Sequence, residues 1–176
     1  MTWRIIKTVV LCFITVVELK GTDMGFTLRS PAFEHNGFIP EVFTCDGGDR
    51  SPALHWQDIP AGTKSLALIM DDPDAPMGTW DHWILFNIPP NTTGLLEGVS
   101  KLPAGVQEGT NSWNKTGYGG PCPPDKEHRY FFKLYALDIM LKLVDGVTKQ
   151  ELEQTMEGHI IGETELLGRY NRPQNQ

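Results

Sequence analysis

Ser65-Leu66-Ala67-Leu68-Ile69-Met70-Asp71-Asp72-Pro73-Asp74-Ala75-Pro76, residues 65–76, is the stretch on which the fold turns. Leu66, Leu68 and Met70 are apolar, and so are the Ala67 and Ile69 that alternate with them. A strand apolar on both sides is a central strand with cover over each face. The acidic, proline-broken run that follows ends it, because each proline fixes its own φ and restricts the residue before it. Asp72 and Asp74 are thereby held in extended or turn geometry. Rigid carboxylates there suit a binding site as well as they suit a turn in which Asp bonds its own backbone.

Outward from this strand, Phe26–Ser30, His82–Ile88 and Tyr130–Leu137 are rich in aromatic, β-branched and leucine residues bounded by turn formers, and read as further strands. Thr164, Leu166 and Leu167 ahead of Gly168 predict a last strand within Ile160–Tyr170. Only Thr148–His159 reads as helix: Thr148 with Glu151 forms a capping box, and Leu152, Met156 and His159 recur at helical spacing. One helix cannot build a βαβ array. The expected fold is mostly β, an antiparallel β-sandwich of two sheets with one or two peripheral helices.

Composition agrees. The 176 residues are 40% hydrophobic and 21% charged, enough apolar surface for one domain and too much for a disordered chain. Net charge is −7 with no basic run, so nucleic acid is excluded as a partner and docking on anionic lipid is disfavoured. An anion would be met singly, in a pocket.

Residues 1–20 differ from the rest. Arg4 and Lys7 precede an apolar or small run, Thr8–Val17, which matches a charged n-region and an h-region. Ten residues rise only about 15 Å as a helix, half a hydrocarbon core, so export is expected over membrane spanning. The exit Glu18-Leu19-Lys20-Gly21 is not a small-residue cleavage site. The domain reading is a signal peptide or hydrophobic leader at 1–20 and a single β-sandwich at 21–176, periplasmic or secreted, with a cytoplasmic location as the alternative. Loss of the leader removes Cys12 and leaves Cys45 and Cys122, either a disulfide between two loops or two buried thiols.

Three polar clusters depart from the strand patterns. Asp72 and Asp74 form the first. In the second, Trp80-Asp81-His82-Trp83 opens the next strand, and a hairpin-like return places His82 beside the Asp72 turn, where a carboxylate can fix the ring tautomer and favour imidazolium. The third is Gly117-Tyr118-Gly119-Gly120-Pro121-Cys122-Pro123-Pro124, then His128-Arg129-Tyr130. Glycines admit backbone N–H groups to an oxyanion, prolines stiffen the loop, and His128 and Tyr130 share a strand face.

These motifs, with Glu165-Leu166-Leu167-Gly168-Arg169-Tyr170, resemble the phosphatidylethanolamine-binding protein family. Phe43-Thr44-Cys45-Asp46-Gly47-Gly48 and Gly119-Gly120-Pro121-Cys122-Pro123-Pro124 resemble its short bacterial and archaeal branch, often named Raf-kinase-inhibitor-like. The resemblance, from about Phe26 to Arg172, implies a two-sheet sandwich with a small pocket for phosphate, acetate or a phosphoryl headgroup. Asp72, His82, His128 and Tyr130 match its polar wall, Asp74 supports the turn, and Gly120 and Pro121 belong to the rim. It implies binding without turnover, no cofactor and no metal, and kinase or protease partners for several members. The longer C-terminal segment that helps close the pocket in animal relatives has no counterpart here, so an open, shallower site is expected.

Three rivals remain at this stage. Asp72, His82 and His128 match the two-histidine, one-carboxylate set of a metal-dependent hydrolase. Cys122 and His128 contain the parts of a thiol enzyme. An interaction protein or protease inhibitor with a vestigial pocket would present Trp80, Trp83 and Trp113 as anchors. A homodimer is compatible with a small sandwich.

Overall fold

The computed structural model describes residues 25–173. Its strands are β1 (Thr27–Arg29), β2 (Gly37–Phe38), β3 (Leu54–Gln57), β4 (Ser65–Asp72), β5 (Trp80–Ile88), β6 (Gly94–Leu95), β7 (Gln107–Glu108), β8 (His128–Leu137) and β9 (Ile160–Tyr170). A short 3-10 turn, Glu41–Phe43, follows β2, and one helix, α1 (Lys149–Met156), precedes β9. The strands form a three-stranded sheet, β1-β3-β6, and a six-stranded sheet, β2-β9-β8-β4-β5-β7. The two-sheet sandwich with a peripheral helix is therefore present. The pairing departs from the expected antiparallel pattern at one edge, where the two-residue β2 runs parallel to β9.

Every residue of β4 is buried, as a two-sided apolar strand requires. Leu66, Leu68 and Met70 pack with Leu28, Leu54, Trp56 and Leu95 of the smaller sheet, the core between the two layers. Ala67 and Ile69 face the other way, onto Leu152 and Met156 of α1 and the Leu141 loop. The capping box predicted at Thr148 is formed: Thr148 Oγ1 accepts from the Glu151 N–H, and the Glu151 carboxylate accepts from the Thr148 N–H. Among the described residues, no helix is long and apolar enough to cross a membrane. The leader reading of residues 1–20 falls outside the described residues.

Two irregularities interrupt the β4–β5 ladder, and the first shapes the site. Met70 pairs with Trp83, but the next residue, Asp71, pairs with Asp81, so His82 is the extra residue of a β-bulge. Bulges re-aim side chains. Here Asp81 reaches Lys149 on the helix side, whereas both His82 and Trp83 turn toward the inter-sheet side, His82 against Tyr130. The second shift lies between Leu66 and Leu68, where Asn87 takes φ 54° and its side chain bonds the Leu141 N–H and carbonyl.

Candidate functional site

Strand alternation separates the two consecutive aspartates that end β4. Asp71 points to the α1 side and accepts from Lys133 Nζ at 2.8 Å and Lys149 Nζ at 2.6 Å, tying helix to sheet. Asp72 points the other way, into a cavity of about 360 Å³ lined with it by His82, Trp80, Trp113, Met77 and His128, among others. That volume is in the range of small-molecule sites.

His128 heads β8 and is wholly buried. Its Nδ1 donates to Asp72 Oδ2 at 2.7 Å, and its Nε2 donates to Asp125 Oδ1 at 2.9 Å. Burial alone would lower the imidazole pKa, but the two carboxylate bonds outweigh it and hold His128 above the usual histidine value. Asp72 is itself fixed, its Oδ1 accepting from the Asp74 N–H at 2.8 Å, the Asx turn that the proline-bounded run favours.

His82 is paired differently from the sequence expectation. The ring lies near Asp72 but is not bonded to it; Nδ1 sits 2.7 Å from the Gly119 carbonyl. A carbonyl only accepts, so Nδ1 carries the proton and Nε2 keeps its lone pair. Burial pushes the His82 pKa below its usual value despite the Gly119 bond and nearby Asp72. It is neutral near pH 7, not the imidazolium the sequence suggested. The bulge is the reason: it swings the ring toward the glycine loop, where the Gly119 N–H also donates to the His82 carbonyl, while Asp72 meets β8.

The other sequence candidates occupy distinct places. Tyr130 does not line the cavity; it is buried beneath it, edge-on to His82 at 5.2 Å between ring centroids. Its hydroxyl lies near Asp72 and the Cys122 backbone without a well-formed bond to either, and burial holds it protonated far above the ordinary phenol range. Asp74 faces away from the cavity and grips Arg129 through both guanidinium and backbone N–H, which holds its carboxyl at about 2. Gly120 lines a neighbouring cavity of about 260 Å³ beyond Trp113. Its N–H donates to Asp49 Oδ1 at 2.6 Å, and a Cβ there would lie 2.5 Å from the Phe43 carbonyl oxygen. Pro121 is buried and lines neither cavity; its carbonyl accepts from the Cys45 N–H.

Cys45 and Cys122 are bonded, with Cα atoms 5.4 Å apart. This corrects the alternative of two buried thiols and leaves Cys122 no free thiol in this state. For the metal reading, no three His, Cys, Asp or Glu side chains among the described residues are grouped as a metal ion would need. Both nitrogens of His128 are already bonded. Of the tryptophans, Trp83 is core at 2% exposure, whereas Trp80 and Trp113 form an edge-to-face pair in the cavity wall. Met77, 94% exposed, stands at the rim.

Sequence reasoning missed Asp125, Trp113 as a wall of the cavity, and the bulge. The only signal for the bulge was that Asp81, His82 and Trp83 offer no clean alternation. What the cavity can do follows from its donors and acceptors. It joins an imidazolium, a neutral imidazole with a free lone pair and a carboxylate at the polar end, under walls of Ala75, Pro76, Met77 and two indoles. That combination holds a group with both an oxyanion and a proton donor or cation, attached to an apolar remainder.

The family model described as phosphatidylethanolamine-binding protein matches residues 29–171. The chain is 51% identical over 148 residues to a UPF0098 protein of Methanothermobacter thermautotrophicus, covering 82% of this chain and 98% of that one. It is 47% identical over 165 residues to a UPF0098 protein of Aquifex aeolicus, covering 89% and 96%. Among solved structures, a putative phosphatidylethanolamine-binding protein homolog from Chlamydia trachomatis superposes with TM-score 0.81 at 42% identity, covering 85% and 99%. Escherichia coli YbcL, described as a new member of the mammalian family, gives TM-score 0.79 at 33% identity, covering 84% and 99%.

Proposed function

Because the chain belongs to the phosphatidylethanolamine-binding protein family, we propose that it binds a small phosphoryl headgroup in the Asp72–His82–His128 cavity and works through binding, not turnover. The observation that carries this reading is the junction of charges at the polar end of the cavity, where the His128 imidazolium and the Asp72 carboxylate stand side by side. A zwitterion satisfies both: its phosphate takes the imidazolium side and its ammonium the carboxylate and the indole faces. An anion alone leaves Asp72 and Asp125 facing like charge. Calorimetric titration with phosphoethanolamine and with inorganic phosphate is the test. Phosphoethanolamine is expected to bind the more tightly; equal affinities remove the ammonium part of the reading, and no heat with either removes the pocket's role.

The same reading has the protein act on a kinase or protease partner by occupying it, in an oxidising compartment where the Cys45–Cys122 bridge persists. Periplasmic or secreted location is tested by fractionating cells that express the full chain, and self-association by sedimentation equilibrium.

A further inference from the structure

Asp125 is a carboxylate where an anion pocket should have none. It follows Pro123-Pro124, its side chain is 53% exposed, and its Oδ1 accepts from His128 Nε2 at 2.9 Å and from the Lys126 N–H at 2.9 Å. The other ring nitrogen is held by Asp72, which is buried and anchored in turn by the Asp74 N–H. Of the two carboxylates that flank His128, only Asp125 can leave without opening the fold. An oxyanion that seeks the Nε2–H must therefore displace a carboxylate already bonded there.

We infer that Asp125 is a specificity-determining residue: with its own carboxylate it fills the His128 donor position that a bare oxyanion needs, so that the pocket discriminates against anions that carry no positive charge. This rests on the headgroup-binding reading above. Displacement does not remove Asp125, which is tethered three residues before His128 and directly follows Pro124 of the cavity lining. There its charge opposes phosphate but meets the ammonium of a zwitterion. The remaining charges nearby are Asp72 within the cavity, Lys126 beside Asp125, and Asp74, already neutralised by Arg129. A ligand that must first break an internal contact has its affinity reduced to the fraction of molecules in which that contact is open.

The experiment is calorimetry on the full chain and its Asp125→Asn variant, near pH 7 and at low salt, with inorganic phosphate and phosphoethanolamine as probes. Asp125→Asn is expected to tighten phosphate roughly fivefold, the scale of an exposed charge contact. Phosphoethanolamine is expected to change by less than about twofold, since relief of competition is offset by loss of its ammonium partner. Equal gains for both probes, or no gain for phosphate, overturn the inference while leaving the pocket reading intact. If neither probe binds either protein, the pocket reading falls and this inference with it. A second measurement needs no ligand. In an NMR titration, the His128 imidazole of Asp125→Asn is expected to lose protons at lower pH than in the wild type, with His82 unmoved. An unchanged His128 refutes the contact on which the inference stands.

Discussion

Opening the Cys45–Cys122 bridge should cost stability far more than it costs binding. The bridge closes a loop with a sequence separation of 77 residues. In the chain-entropy account, a loop of that length removes about 4 to 5 kcal/mol of unfolded-state entropy. For a domain of this size that corresponds to a Tm lower by about 10 to 15 °C. The folded rim, however, keeps other fastenings: the Cys45 N–H donates to Pro121 O, the Gly120 N–H to Asp49 Oδ1, and the Tyr118 hydroxyl to Phe43 O. Phosphoethanolamine affinity of the folded Cys45→Ser/Cys122→Ser double variant is thus expected to stay within about twofold of wild type. Urea denaturation and calorimetry on the same protein read the two quantities. A stability loss below about 1 kcal/mol would refute the entropic argument. Loss of binding with the fold intact would refute the claim that the rim is independently fastened.

Further outcomes test the site and the core. Asp72→Ala leaves the buried His128 Nδ1 without its acceptor, and breaking such a pair is expected to cost about 3 kcal/mol in urea denaturation. The two histidines give opposite pH trends. His128, with its pKa raised by Asp72 and Asp125, adds stability that is complete below the ordinary histidine value and lost as pH rises through its elevated folded pKa. His82, with its pKa depressed, adds stability present above the ordinary value and lost as pH falls through its lower folded pKa. His128→Gln should abolish the alkaline loss and keep the acid one, as followed by denaturation across pH. Gly119→Ala would place a Cβ 2.5 Å from the Trp113 ring, a side chain 39% exposed and able to shift. It is expected to move tryptophan fluorescence and weaken headgroup binding several-fold, with a stability change of about 1 kcal/mol or less. Gly168→Ala meets Ile39 at 2.5 Å and Phe33 at 2.9 Å in the closed core, and overpacking there should cost about 1 to 3 kcal/mol by the same denaturation.

The larger part of the fold was legible because hydrophobic periodicity carries it. The two-sided burial of β4, the strand starting near His128 and the cap at Thr148 follow from local pattern alone. Strands of two or three residues, such as β2, β6 and β7, are too short to impose a period, and the parallel β2–β9 edge depends on a long-range meeting. Asp72, His82 and His128 were found as cavity residues because rigid turns and glycine loops mark strand ends. Their pairing was not legible: which nitrogen meets which oxygen depends on one extra residue in β5, which the sequence signals only by the broken alternation of Asp81, His82 and Trp83. Asp125 was missed because a carboxylate in an exposed loop looks like any solvated charge.

That extra residue also makes His82 editable. Asp81 and Trp83 pair with successive residues of β4, so excising His82 would leave an unbroken ladder and shift no residue of the strand beyond it. The imidazole is thus an insertion in the ladder, and what its loss removes is the pair of contacts that ties β5 to the Gly119 loop. A single-codon deletion would release the glycine loop while leaving Asp72 and His128 to hold the headgroup, which sets a His82-deleted chain apart from an alanine variant, whose backbone keeps the Gly119 N–H contact.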